Sequence, residues 1–327
     1  MADLSTKYMG FNLKNPIIIG SSELTNSVNK IKALADSNAG AIVLKSFFEE
    51  QIMAEVSQNI YKDQSGYTDA YEYIREYTKE HNIDKYLDLI REAKKSVDIP
   101  IIASINCISD NEWISYAKKF EEAGADALEL NIAILPSDFN VKSEDNEKKY
   151  FSITEKVKSQ VNIPVSLKMS YFSAGLANLI QQLSYSGNVD SFVLFNRYYM
   201  PDVDIDKLKV TTSSTLSSPS EISTSLRWIA LLSESITKDL VASTGVHDGN
   251  AVVKQILAGA SAVQIVSAFY KKGPQYINTI LKDIEIWMDK KGFANIEDFK
   301  GKLSYDKAKN PAVFERTQFM RYYDNVK

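Results

Sequence analysis

The chain has 327 residues, 44% apolar and 24% charged, with 38 Lys and Arg against 42 Asp and Glu for a formal net charge of −4. That length supports a large core without staples, and one cysteine (Cys107) with two histidines (His81, His247) excludes a disulfide framework and any Cys- or His-rich metal cluster held by this chain alone. The mild acidity offers no general attraction to nucleic acid.

The N-terminal MADLSTKYMGFNLKNP lacks a basic stretch followed by an apolar one, so it is not a secretory signal. No apolar run is long enough to span a bilayer, which predicts a cytoplasmic protein without membrane contact. The first strand is expected at residues 16–20 and the second at 41–45. A long connection, 47–82, follows, with Tyr61, Tyr67, Tyr71, Tyr73 and Tyr77. It is either an excursion packing its own aromatics or a lid over a pocket. A helix over 84–97 then leads to a strand at 100–106, a helix over 111–123 and a strand at 127–131. A second long connection, 135–150, precedes a strand at 164–169. Strands at 191–196, 240–244 and 262–266 follow, with helices over 220–235, 250–258 and 276–290. Asn111 and Asp248 sit near helix starts, where short polar side chains cap free N–H groups. Residues 296–327 form a tail whose Phe314, Phe319, Met320, Tyr322 and Tyr323 suggest docking.

The strands are short, nearly continuous apolar runs, as expected when both faces of a parallel sheet are buried. Eight of them alternating with helices argue for a (β/α)8 TIM barrel over residues 1–327 as one domain, elaborated after strands 2 and 4. In EEAGADALEL and ILAGASAVQI, Gly124 and Gly259 stand where a helix C-cap turns left-handed before a strand. An open doubly wound sheet is the rival. It is opposed by the lack of G-x-G-x-x-G after the first strand and of any Walker loop.

Barrel enzymes build their sites at the C-terminal strand ends. Those positions hold Ser21, Lys45, Ser46, Asn106, Asn131, Lys168, Asn196, Arg197, Ser243, Thr244, Gly245, Ser267 and Ala268. A lysine ending a buried strand is costly unless it meets an anion or acceptor. Two such lysines beside three asparagines predict a ligand that is anionic and rich in hydrogen-bonding edges. Small residues after the last two strands let backbone N–H groups approach a phosphate.

These segments resemble the dihydroorotate dehydrogenase family over nearly the full length. Asn15-Pro16 through Ser21-Ser22 is similar to its opening N-P-x-x-x-A-S-G, with Gly20 for Ala and Ser22 for Gly. Residues 40–46, ending in Lys45-Ser46, resemble its second strand, and Leu128-Glu129-Leu130-Asn131 its E-L-N strand. Residues 164–168 end in the position of its flavin-contacting lysine. Residues 240–260 resemble its C-terminal signature, with Thr244 where a glycine is usual, and 264–274 its closing phosphate segment.

The resemblance implies a noncovalent FMN across the mouth. Ser21, Lys45, Ser46, Asn131 and Lys168 would meet the ring or ribityl chain, and Ser243, Thr244, Gly245, Ser267 and Ala268 the phosphate. Lys45 would also touch substrate. Asn131 and Asn196 would grip a pyrimidine such as dihydroorotate or orotate, and Arg197 a carboxylate. A homodimer in pyrimidine biosynthesis is implied. The chain starts almost directly at strand one, which suits the soluble class rather than the quinone-linked one. Fumarate, NAD and oxygen all stay open as electron acceptors.

Two departures bear on the chemistry. The family places its catalytic Cys or Ser where this chain has Ile134, and an alkyl group cannot move a proton. Ser137 is the nearest hydroxyl and the substitute candidate. The family's N-S-M-G-L-P-N segment after strand 2 is replaced by the Tyr-rich stretch 61–77. Tyr67 or Tyr71 from that stretch, or Cys107 after strand 3, could also handle a proton. An FMN-dependent oxidoreductase is therefore expected. The alternative is a noncatalytic flavin-binding or regulatory protein that lost its base.

Overall fold

The computed structural model describes residues 2–48, 68–106, 110–132 and 134–316. Its centre is a closed parallel barrel of eight strands: β1 (Ile17–Ile19), β2 (Ala41–Val43), β3 (Ile101–Asn106), β4 (Ala127–Asn131), β5 (Val165–Lys168), β6 (Ser191–Leu194), β7 (Asp239–Ser243) and β8 (Ala262–Ile265). Each strand pairs with the next, and β8 closes on β1 with Val263 opposite Ile17. All eight expected strands are present. The fold is the TIM barrel that the sequence pattern predicts.

Alternate residues of a barrel strand face the interior. The lower interior layer is apolar: Ile18, Val43, Ile102, Ala127, Val193, Val241 and Ala262 pack together. A hairpin of Thr6–Tyr8 and Phe11–Leu13 plugs this end with Tyr8, Met9 and Leu13. Two residues further along several of these strands, the same inward face carries Gly20, Lys45, Ser104, Glu129, Ser243 and Gln264, and β5 adds Lys168. The period of two thus converts an apolar floor into a polar mouth.

Helices Val28–Asp36, Thr68–Ser96, Asp110–Glu122, Ser143–Lys158, Leu176–Tyr185, Ile222–Leu232, Gly249–Ala258 and Tyr276–Lys291 surround the strands. Asp248 caps its helix by accepting from the Ala251 N–H at 2.8 Å. Gly124 and Gly259 have φ of +99° and +120°, the positive values their place after a helix requires.

Both long connections differ from the sequence expectation. Helix Thr68–Ser96 begins well inside 47–82, and Phe47–Phe48 pairs with the upper part of β3. Residues 49–67, with Tyr61 and Tyr67, lie outside the described residues, as does Cys107. Helix Ser143–Lys158 begins inside 135–150. Its first two turns are polar, and its buried residues start only at Tyr150, so no apolar period marks its beginning. A further hairpin, Pro201–Asp204 with Lys209–Thr212, stands out after β6 with Val203, Ile205, Leu208 and Val210 exposed.

Backbone hydrogen bonds tie residues 301–305 to the surrounding helices. The Gly301 and Leu303 N–H groups donate to the carbonyls of Ile256 and Leu257, and the Tyr305 N–H donates to that of Ala230. Phe299 is buried against Trp287 and Phe293. Residues 317–327, with Phe319, Met320, Tyr322 and Tyr323, lie outside the described residues.

Candidate active site

A cavity of about 450 Å³ opens at the C-terminal end of the barrel, within the size range of small-molecule sites. Lys168 stands on one side, and Ser243, Thr244, Gly245 and Ser267 on another. The expected positions at the ends of β1, β5, β6, β7 and β8 meet in this one space. Ala268 is buried directly behind Ser267 at the start of a short helix, Ser267–Lys272.

Lys168 is nearly buried, and its Nζ donates to Gln264 Oε1 at 3.0 Å. It lies 3.6 Å from Glu129 Oε1, inside the barrel. Gln264 Nε2 donates in turn to the other Glu129 oxygen. Glu129 Oε1 makes no hydrogen bond, so the ammonium is its only compensation among the described residues. Glu129 and Gln264 were missed as site residues by sequence reasoning. Their signal was available: an acid and an amide at inward positions of otherwise apolar strands.

Hydroxyls join the ends of β1, β2 and β3. Ser21 Oγ accepts from the Ser46 N–H at 2.7 Å and lies 3.0 Å from Ser46 Oγ, which lies 2.6 Å from Ser104 Oγ. Lys45 pairs with Glu23 on the half-exposed rim. Asn196 Nδ2 donates to Asn131 Oδ1 at 3.0 Å, and Asn106 Nδ2 donates to the Asn131 carbonyl at 3.0 Å. The three asparagines therefore form one group.

Arg197 lines the mouth cavity and also holds part of its wall. Its Nε donates to Glu221 at 2.9 Å, and one terminal nitrogen donates to the carbonyls of Ser214 and Thr215. It thereby pins the 213–218 loop, whose Thr215, Leu216 and Ser217 wall the cavity. Burial raises the Glu221 carboxyl, but hydrogen bonds from Arg197 and the Ser218 N–H outweigh it and leave the group below its ordinary range. Ser217 donates its N–H to Ser267 Oγ at 2.9 Å and meets His247 Nε2 at 3.1 Å. Burial, then the charge of Lys271, holds the His247 imidazole below its usual range and favours its neutral form. This wall was also missed, because no periodic signal marks a loop.

Ser137 lies on an exposed stretch and lines neither the mouth cavity nor the two beside it. Ile134 is partly buried and lines a neighbouring cavity of about 360 Å³.

Two of the departures have local causes. A Cβ on Gly20 would sit 2.8 Å from Val266 Cγ2, so the alanine common at this point has no room. Thr244 has φ of +75°, which explains why a glycine is usual there. A β-branched residue in that region is strained by roughly 1–3 kcal/mol. Thr244→Gly should therefore raise stability by about 1 kcal/mol after the extra unfolded-state entropy of glycine is subtracted. A higher urea midpoint at unchanged slope is the expected reading; a lower one would show that the weak Thr244 Oγ1 bond to the Phe195 carbonyl, at 3.3 Å, outweighs the strain.

Comparison with known proteins agrees with this geometry. The family model described as dihydroorotate dehydrogenase matches residues 3–288. The catalytic subunit of dihydroorotate dehydrogenase B (NAD(+)) of Thermoplasma acidophilum is 27% identical over 305 residues, covering 92% of this chain and 99% of that protein. The protein of the same name from Methanocaldococcus jannaschii is 25% identical over 288 residues, covering 86% and 92%. A putative dihydroorotate dehydrogenase A (fumarate) of Aeropyrum pernix is 23% identical over 303 residues, covering 91% and 97%. A match running from the N-terminal hairpin through the last barrel helix, on a closed barrel with its polar mouth intact, means that the chain belongs to the dihydroorotate dehydrogenase family.

Proposed function

We propose that this protein binds FMN across the barrel mouth and oxidises dihydroorotate, or a closely related ring, at a CH–CH bond. The observation that carries the reading is the mouth cavity, with a buried ammonium at one side and a small-residue cradle at another. Gly245 is the tightest point of that cradle: its φ is +79°, and a Cβ there would lie 2.1 Å from the Ile222 nitrogen. Ser243, Thr244, Gly245, Ser267 and Ala268 would hold the phosphate. Ser21, Lys45, Ser46, Asn131 and Lys168 would meet the ring and ribityl chain. The bound flavin would supply hydride acceptance and return. Lys168 would then hold positive charge beside the ring, where reduction places negative charge. Asn131 and Asn196 would present amide edges to the substrate, with Arg197 bracing the wall beside them.

The whole chain would act as one domain, with the tail as a strap. Among the described residues, no helix is long and apolar enough to cross a membrane. A cytoplasmic homodimer is part of this reading. Several relatives are named catalytic subunits of NAD(+) enzymes, which favours electron transfer through a partner subunit over fumarate or oxygen.

Purified protein reconstituted with FMN should show the visible absorption of a bound flavin. Anaerobic dihydroorotate should bleach it within seconds. A protein that never retains flavin would overturn the cofactor assignment. One that retains flavin yet stays oxidised would favour a noncatalytic binding role.

A further inference from the structure

Residue 134 cannot move a proton, so the question is which group takes over its place. The end of β6 reaches back toward the end of β4 in two parallel links. The lower is Asn196 to Asn131. Two residues further along, the Tyr198 hydroxyl donates to the Ile134 carbonyl at 3.2 Å. Since β5 lies between β4 and β6, both links cross the end of the strand that carries Lys168. Tyr198 also lines a cavity of about 370 Å³ that shares Asn196, Arg197, Ser243 and Thr244 with the mouth cavity. A phenol oxygen thus stands beside the backbone of residue 134, one step above the asparagine pair.

We propose that Tyr198 is the proton-transfer residue of this active site. The assignment rests on the flavin reading above. In the reducing direction, Tyr198 Oη gives its proton to one carbon of the ring C=C bond, while the adjacent carbon receives a hydride from the reduced flavin. The double bond's electron pair forms the new C–H bond, and water then reprotonates the phenolate. In the oxidising direction, the phenolate takes that proton as the hydride leaves.

The surroundings fit such a role. The ring meets Phe172 edge-on at 5.0 Å and Tyr171 edge-on at 6.3 Å. Among the described residues, Tyr171 and, from the helix Ser143–Lys158, Tyr150 are titratable groups that interact with it. Burial raises the Tyr198 phenol above the usual tyrosine range, with Tyr171 adding to the shift and a Ser170 hydrogen bond opposing it. Burial likewise raises Tyr150. The sign follows: oxidation needs the phenolate, so its rate should climb with pH, about tenfold per unit below the phenol pKa. Reduction needs the phenol and should stay level over the same range.

The test compares wild-type holoenzyme, Tyr198→Phe, and protein with difluorotyrosine at position 198, which keeps the hydroxyl but makes it more acidic. Flavin reduction by dihydroorotate is followed by stopped flow across pH. Orotate binding is titrated separately through the flavin spectrum. Tyr198→Phe should lower the reduction rate by roughly 100-fold or more, with orotate affinity changed less than about threefold. Difluorotyrosine should move the rising limb to lower pH, which a purely structural hydroxyl would not do. A Tyr198→Phe enzyme that keeps its rate and pH limb overturns the proposal. So does a Ser137→Ala variant that loses the rate while Tyr198→Phe keeps it. A wild-type holoenzyme that binds flavin but reacts with neither pyrimidine overturns the substrate reading and this role with it, a result distinct from a fast wild type with a fast Tyr198→Phe.

Discussion

Replacing Lys168 with methionine should cost about 3–5 kcal/mol of stability and slow flavin reduction by roughly 100- to 1000-fold. The two losses have different origins. Glu129 lies inside the barrel with one oxygen unbonded, and the Lys168 ammonium 3.6 Å away is its counter-charge. Methionine keeps the length of the side chain and removes that charge, which leaves a buried carboxylate uncompensated. The catalytic loss would come, on the proposed function, from removing positive charge beside the flavin. A second substitution separates them. Lys168→Met with Glu129→Gln has no orphaned charge, so most of the stability should return. The reduction rate should not. Thermal melts and stopped-flow reduction on the four proteins of this cycle measure the coupling directly. If the single variant melts like wild type, Glu129 is not held by Lys168. If the double variant regains the rate, the lysine's effect runs through Glu129 rather than through the flavin.

This triad also shows how far the sequence can be read. Lys168 stands out because a lysine ends a largely apolar strand, and Glu129 and Gln264 stand out as an acid and an amide inside otherwise apolar strands. The eight strands were legible because burial on both faces makes each a continuous apolar run. Helix Ser143–Lys158 was not, because solvent covers most of its circumference and only Tyr150, Ile153, Thr154 and Val157 are buried. The hairpin at Pro201–Asp204 was hidden for a related reason: its strands lean on each other and not on the core. Arg197 illustrates a third limit. Its place at a strand end points to the mouth, which it lines, but does not disclose that its guanidinium also holds Glu221 and the 213–218 loop. Residue type and strand position together locate the mouth; only the three-dimensional partners decide which side chains are free to meet a ligand.

That wall of loop and helix start makes Gly245 the other sensitive point. Gly245→Ala should lower stability by about 2–5 kcal/mol, the sum of an L-residue forced to positive φ and an overpacked contact. The overlap is with backbone: the new Cβ would stand 2.1 Å from the Ile222 nitrogen and 2.6 Å from the Glu221 carbonyl carbon. Neither atom ends a flexible side chain, so the start of helix Ile222–Leu232 must move. Glu221 moves with it, and Arg197 then loses the partner that lets it pin the Ser214 and Thr215 carbonyls. The displaced wall carries Ser217, whose N–H binds Ser267. Both sides of the proposed phosphate cradle are therefore disturbed by one methyl group, and FMN affinity should fall by at least about 100-fold, a loss near 2.7 kcal/mol. Gly292→Ala provides the comparison. Gly292 has a similar φ of +73°, but a methyl group there would meet nothing within 4 Å, and it caps a helix away from the mouth. It should lose only the conformational part, about 1–2 kcal/mol, and bind FMN as wild type does. Equal flavin affinity in the two alanine variants would remove the cradle from Gly245 and return its positive φ to an ordinary turn.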